Sequence, residues 1–135
     1  MSTRRLILAV AALLVLALTT LGVAFSHSAD QPAREALARN TAREFFQTIN
    51  ARRFDQTCNL MSARFYRVAH MPDRARCVLA LRIEFTWAPS FHFSIRGVRI
   101  DGDRAIVTAL ANRAPGRVVL VEEAGRFKVL SVRGS

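Results

Sequence analysis

Acidic residues are scarce in this sequence: ten Asp and Glu stand against twenty Lys and Arg, so the formal net charge is +10. Most of the acids fall in predicted turns or on polar helix faces, which leaves no paired carboxylates for acid–base catalysis. The sequence also lacks a Ser-His-Asp arrangement, a phosphate-binding loop and a dinucleotide fingerprint. These absences argue against the common hydrolase, nucleotide-binding and dehydrogenase chemistries, and we expect no cofactor.

The excess of positive charge favours acidic partners, such as anionic lipid, acidic envelope polymers or nucleic acid. The arginines are spread along every predicted element rather than clustered, and no motif of a nucleic-acid-binding module is present. We therefore predict that nucleic acid is not a partner.

A long apolar run follows two arginines near the start of the sequence. Its length, roughly 20 residues, is about that of a helix that crosses a bilayer. Residues 1–25 are predicted to be either a signal peptide, cleaved near Ala24 or Ser28, or an uncleaved anchor that keeps the next domain outside the cytoplasm. Residues 26–32 are predicted to be a tether, and 33–135 an extracytoplasmic domain. The domain is then attached to the cell membrane by a single pass, or secreted after cleavage.

The two cysteines, Cys58 and Cys77, are too few for a structural zinc site, which takes four ligands. Their spacing is not the Cys-x-x-Cys of a redox pair. The three histidines, His27, His70 and His92, match no known metal-site spacing either, so we expect no metal. An even number of cysteines in an exported domain predicts one disulfide.

Apolar spacing predicts three helices in the first half of the domain. The first runs from Pro32 to about Asn50, Asp55 is the predicted N-cap of the second, which reaches Val68, and the third spans about 72–83. The side chains expected to be buried are Leu37, Thr41, Phe45 and Ile49 in the first helix and Leu60, Met61, Phe65 and Val68 in the second.

The stretch 91–132 predicts an antiparallel meander of β-strands. Apolar and polar residues alternate from Phe91 to Ile95, and the alternation slips at Gly97, which is typical of a β-bulge and hence of a curved sheet. The preceding segment, 84–90, is predicted to be an edge strand or a loop, because it contains a proline. Turns are predicted at Asp101–Gly102, Pro115–Gly116 and Ala124–Gly125.

Several short motifs carry a resemblance that covers roughly 33–132. They are Ala42-x-x-Phe45-Phe46, Arg53-Phe54-Asp55, Cys58-x-Leu60, Gly102-Asp103-x-Ala105-x-Val107 and Gly125-Arg126-Phe127-Lys128-Val129. With the order of helices and strands, they resemble the nuclear transport factor 2-like superfamily, also called polyketide-cyclase-like. The sequence is also similar to small exported actinobacterial members of this group. The resemblance implies an α+β fold, in which about three helices after the N-terminal hydrophobic helix pack on a curved, cone-like antiparallel sheet.

Enzymes of this superfamily place an acid or base inside the cone, and few residues here qualify. His92 and Glu84 are the candidates for a general base. The candidates for a ligand pocket are Phe45, Tyr66, Trp87 and His92, although Trp87 is expected in the core rather than stacked on a ligand.

Two functions are compatible with these features. The first is an exported or membrane-anchored, non-catalytic domain that binds a partner protein, for instance as an envelope-complex scaffold, or a small apolar ligand. The second is a small cyclase- or isomerase-like enzyme that uses His92 or Glu84. An enzyme requires its acid or base in an enclosed cavity, whereas a concave face filled by Phe45, Phe65 and Trp87 leaves only a surface for a partner.

Overall fold

The structure is a computed structural model that describes residues 30–134. The chain divides into two compact units, Met1–Ala33 and Arg34–Ser135, and the second contains the fold considered below. The predicted N-terminal hydrophobic helix lies outside the described residues. Within 30–134, no helix combines the length and the apolar character that crossing a membrane requires.

Four helices and four strands follow one another along the described residues. They are α1 (30–50), α2 (Phe54–Asn59), α3 (Ala63–Val68), α4 (Arg74–Phe85), β1 (Phe93–Asp101), β2 (Arg104–Ala111), β3 (Ala114–Glu123) and β4 (Arg126–Gly134). The strands form one antiparallel sheet in the order β1-β2-β3-β4. The predicted α+β architecture with an antiparallel meander is therefore confirmed.

Helix α1 packs along the inner face of the sheet. Its buried side chains recur at helical spacing: Ala38, Ala42, Phe45, Phe46 and Ile49. The two alanines are fully buried, so the helix backbone approaches the strands closely. The prediction was wrong at Leu37, which is 54% exposed because it lies beside this stripe rather than on it. The helix begins at residue 30, two residues before the predicted start at Pro32, so the end of the predicted tether is helical.

The single second helix of the prediction is two helices, α2 and α3. Between them, the Val129 N–H donates to the Leu60 carbonyl (2.7 Å) and the Ser62 N–H donates to the Val129 carbonyl (2.8 Å), so this segment pairs with β4. The Ser62 hydroxyl then caps α3 by accepting from the Phe65 N–H. Pairing with β4 thus interrupts a sequence whose apolar spacing predicts one continuous helix.

Two further details of this region differ from the prediction. Arg53, not Asp55, occupies the N-cap position of α2, and Asp55 lies in its first turn. Val68, expected to be buried, is 70% exposed at the end of α3.

A disulfide joins Cys58 in α2 to Cys77 in α4, as predicted, with the two Cα atoms 6.0 Å apart. Both cysteines are buried. Helix α4 is displaced by about one half-turn from the predicted 72–83, because Asp73 is its N-cap and accepts from the Arg76 N–H at 2.9 Å. The bridge therefore fixes α4 against α2.

The predicted β-bulge at Gly97 is present, since the register of β1 against β2 shifts between Ile95 and Gly97. The shift keeps apolar side chains on the inner face along all of β1. Phe93 and Ile95 before the bulge, and Val98 and Ile100 after it, pack against the buried core.

Two of the three predicted turns are misplaced. The turn at Ala124–Gly125 is confirmed, with left-handed φ values of 50° and 75°. In the first hairpin the loop is Gly102–Asp103, one residue later than predicted. In the second the chain turns at Asn112 and Arg113, whereas Pro115–Gly116 is part of β3.

Candidate ligand-binding groove

An apolar groove of about 640 Å³ opens between the helices and the inner face of the sheet. This volume falls within the range of small-molecule sites. Side chains from α1, α3, α4, β2 and β4, and from the segments before α3 and β1, line it. Its lining is Phe45, Phe46, Ile49, Met61, Phe65, Leu81, Glu84, Phe85, Phe91, Ala111, Val129, Ser131 and Val132.

Aromatic rings form one wall of the groove. Phe46 stacks on Phe93, with ring centroids 5.0 Å apart, and meets Phe91 edge-on at 5.9 Å. Phe45 lies edge-on to Phe46 at 5.6 Å. Such pairs prefer fixed relative orientations, so the shape of this wall is set by the protein rather than by a ligand.

The opposite side depends on the break between α2 and α3. Because Met61 pairs with Val129 as an isolated parallel bridge, both residues are held at the groove. A continuous helix from Asp55 to Val68 would exclude this pairing. The methionine side chain is flexible and adapts to apolar ligands of different shapes.

Asn50 positions the segment that enters the sheet. Its side-chain amide donates to the Phe91 carbonyl at 2.8 Å and accepts from the Phe91 N–H at 3.1 Å. Ile49 and Phe91, one on each side of this contact, both line the groove. The end of α1 therefore fixes the loop that closes the groove.

The lining contains only two polar side chains, Glu84 and Ser131. Glu84 is exposed to solvent, so it lies at the rim. Among residues 30–134, no three His, Cys, Asp or Glu side chains lie close enough together to hold a metal ion. The groove as described favours apolar contacts over polar recognition.

The structure brings one of the four predicted pocket residues, Phe45, to the groove. The hydroxyl of Tyr66 instead donates to the Cys58 carbonyl at 2.9 Å, and burial raises the pKa of this phenol. Trp87 is 92% exposed, so its expected place in the core was wrong. His92 is exposed and outside the groove, and its backbone N–H donates to the Asn112 side chain.

The two candidate bases are not brought together. Glu84 lines the groove and His92 does not. Sequence reasoning missed the contributions of α4, where Leu81 and Phe85 face the groove. Their spacing of four residues, with Cys77 four residues earlier, marks one helix face and was the available signal.

The fold is shared with solved structures of low sequence identity. A candidate dehydratase of the NTF2-like family from Streptomyces avermitilis aligns with 13% identity and a TM-score of 0.59, over 78% of this chain and 96% of that chain. A SnoaL-like protein of unknown function from Burkholderia thailandensis aligns with 15% identity and a TM-score of 0.53, over 74% of this chain and 93% of that chain. No protein-family model matches the sequence, and no curated protein matches it.

At 13–15% identity, these similarities show that the chain shares its α+β fold with solved NTF2-like and SnoaL-like proteins, and they do not show an activity.

Proposed function

We propose that this protein is an exported or membrane-anchored domain that binds a small apolar ligand in its groove without transforming it. The observation that carries the proposal is the lining of the groove, in which eleven of thirteen side chains are apolar. Its volume of about 640 Å³ suits a ligand of modest size. Burial of apolar surface supplies the affinity, at roughly 25 cal/mol for each Å² removed from water.

Two features support a location outside the cytoplasm. The apolar run within residues 1–25 has the composition of a signal peptide or anchor. The chain contains the Cys58–Cys77 disulfide. Disulfides persist in oxidising compartments and are rare in cytosolic proteins. These features, together with the resemblance of the sequence to small exported actinobacterial members of this group, lead us to infer that the chain is of that exported type.

A second candidate function rests on Glu84. Since this carboxylate lines the groove, a cyclase- or isomerase-like enzyme would use it as the general base. His92 does not lie in the groove, which leaves Glu84 without a second acid–base partner among the lining residues. We therefore favour binding over catalysis.

The test uses an uncharged fluorescent dye, N-phenyl-1-naphthylamine, because an anionic dye would respond to the net charge of +10. We expect saturable binding, competed by apolar ligands. Ala111→Leu places a larger side chain in the groove and should lower the affinity for the dye by tenfold or more. The matched control, Ala36→Leu, changes an exposed position of α1 and should leave affinity unchanged.

Two substitutions of Glu84, to leucine and to glutamine, test the two candidate functions. If the groove binds apolar ligands only, removing this charge leaves dye affinity equal or higher. Equal dye affinity in wild type and Ala111→Leu would overturn the assignment of the groove as the binding site. A ligand that the wild type converts chemically, and Glu84→Gln does not, would favour the enzyme.

A further inference from the structure

A second apolar surface lies outside the groove. Six large apolar side chains are exposed in the described residues, and four of them, Val68, Leu79, Ile83 and Trp87, belong to α3, α4 or the residues just after α4. Single exposed apolar side chains are ordinary, but a cluster marks an interaction surface.

Three of these side chains lie on α4 or directly after it. Leu79 and Ile83 are four residues apart, so they project from one side of α4, away from the face that carries Cys77, Leu81 and Phe85, and Trp87 follows two residues after the helix ends. Their exposed fractions are 46%, 70% and 92%. We call these three residues the α4 stripe.

A shallow depression extends the α4 stripe toward the loop before α4. It has a volume of about 470 Å³, and Met71 and Pro72 line it together with Leu79 and Ile83. The one charged side chain on its lining is that of Arg76. The apolar surface is therefore broad and shallow, which suits a flat partner surface. The charged side chain at it is positive.

The surroundings of the α4 stripe are also basic. Residues 63–87 contain five arginines and two acids, Asp73 and Glu84, which leaves a formal net charge of +3. Asp73 caps α4 through the Arg76 N–H, and Glu84 lines the groove. Neither acid lines the depression, so the charge there complements an anionic surface.

We propose that the α4 stripe docks on the surface of an anionic phospholipid bilayer. Tryptophan favours the interface between headgroups and acyl chains, and arginines beside an apolar face add attraction to anionic lipid. The inference rests on the proposed attachment to a membrane, because a domain tethered by a few residues meets that surface at high effective concentration. Docking would hold the domain in one orientation, with the groove at a fixed height above the lipid.

Trp87 is the sole tryptophan, so its fluorescence reports docking without a label. The full chain is reconstituted in vesicles of phosphatidylcholine, and in vesicles that also contain phosphatidylglycerol. We expect Trp87 emission to shift to shorter wavelength, and to be quenched by lipids brominated on the acyl chains, only when phosphatidylglycerol is present. High salt should reverse both effects, because screening weakens attraction between exposed charges.

Variants separate the apolar from the electrostatic contribution. Arg76→Gln should weaken docking about fivefold, the equivalent of about 1 kcal/mol for each basic residue near an anionic surface. Ile83→Ser should remove the quenching of Trp87 emission by brominated lipids. The matched control is Leu37→Ser, which changes a side chain with 54% exposure on α1, and it should dock as the wild type does.

Two outcomes would overturn the proposal. One is Trp87 emission that is unquenched and identical in the two kinds of vesicle. The other is a shift without quenching that grows with protein density, which would assign the α4 stripe to a second copy of the chain. Flotation of the protein with the vesicles measures membrane attachment, and dye binding measures ligand binding in the groove. Failure of either of these two parts of the proposed function is therefore distinguishable from failure of docking.

Discussion

The side chain of Asn50 forms two hydrogen bonds with the backbone of Phe91, donating to its carbonyl and accepting from its N–H. The contact joins the last residue of α1 to the loop before β1, at the end of the groove. One amide thus satisfies both backbone groups of Phe91, which lies outside the strand, and it holds a groove-lining ring in place.

We expect Asn50→Ala to lower the free energy of unfolding by about 1–3 kcal/mol, because both backbone groups of Phe91 lose their partner in a half-buried place. Asn50→Asp should be at least as costly, because a carboxylate facing the Phe91 carbonyl cannot donate. Urea unfolding measures both. Dye affinity should fall in both variants, since Phe91 lines the groove.

The control is Asn40→Ala, at an exposed position of α1 where the side chain only accepts from Arg43. It should change stability by less than about 0.5 kcal/mol. Equal stability of the Asn50 and Asn40 variants would show that the Asn50–Phe91 contact does not support the fold.

The sequence predicts those features of the fold that depend on near neighbours. The bulge at Gly97 and the turn at Ala124–Gly125 are local, and the pairing of Cys58 with Cys77 follows from there being only two cysteines. The break before α3 depends instead on pairing with Val129, which is distant in sequence, so no local pattern predicts this break.

The wrong predictions for the β2–β3 turn and for Trp87 have similar physical reasons. At the β2–β3 turn, Arg113 adopts a left-handed φ of 72°, which the strand register imposes although arginine has no preference for it. Trp87 was expected in the core because large aromatic side chains are usually well buried. Trp87 instead follows two residues after the end of α4, where it is exposed, and the position of α4 is fixed by the disulfide and by its N-cap Asp73.

Replacing both cysteines by alanine should destabilise the oxidised domain by roughly 3 kcal/mol, the chain-entropy contribution of a loop of this length. The bridge spans 19 residues of sequence and connects two buried positions. Alanine avoids burying a hydroxyl group. Thermal unfolding of the variant and the wild type, with and without a reductant, measures the difference.

The expected difference appears in oxidising buffer and largely disappears in reducing buffer, where the wild type also lacks the bridge. Cys58→Ser alone should lower the melting temperature in oxidising buffer as well. Equal melting of the double variant and the wild type in oxidising buffer would contradict a stabilising disulfide.

Tyr66 is the sole tyrosine, so absorbance of the tyrosinate reports one group. Burial is the main cause that raises its pKa above 10.0, opposed by the positive charge of Arg74 and assisted by the negative charge of Asp73. A rapid pH jump should therefore give a midpoint above 10 in the folded protein and near 10 in denaturant. Because the folded state holds this proton more tightly, the contribution of Tyr66 to stability is present below the unfolded pKa and is lost as pH rises through the folded pKa.

Two substitutions should move this midpoint in opposite directions. Arg74→Gln removes the charge that lowers the pKa of Tyr66, so the midpoint should rise. Asp73→Asn removes the charge that raises it, so the midpoint should fall, while asparagine still serves as the N-cap of α4. A folded midpoint at or below 10, or shifts of the same sign in both variants, would contradict the partly buried placement of the Tyr66 hydroxyl beside the Cys58 carbonyl.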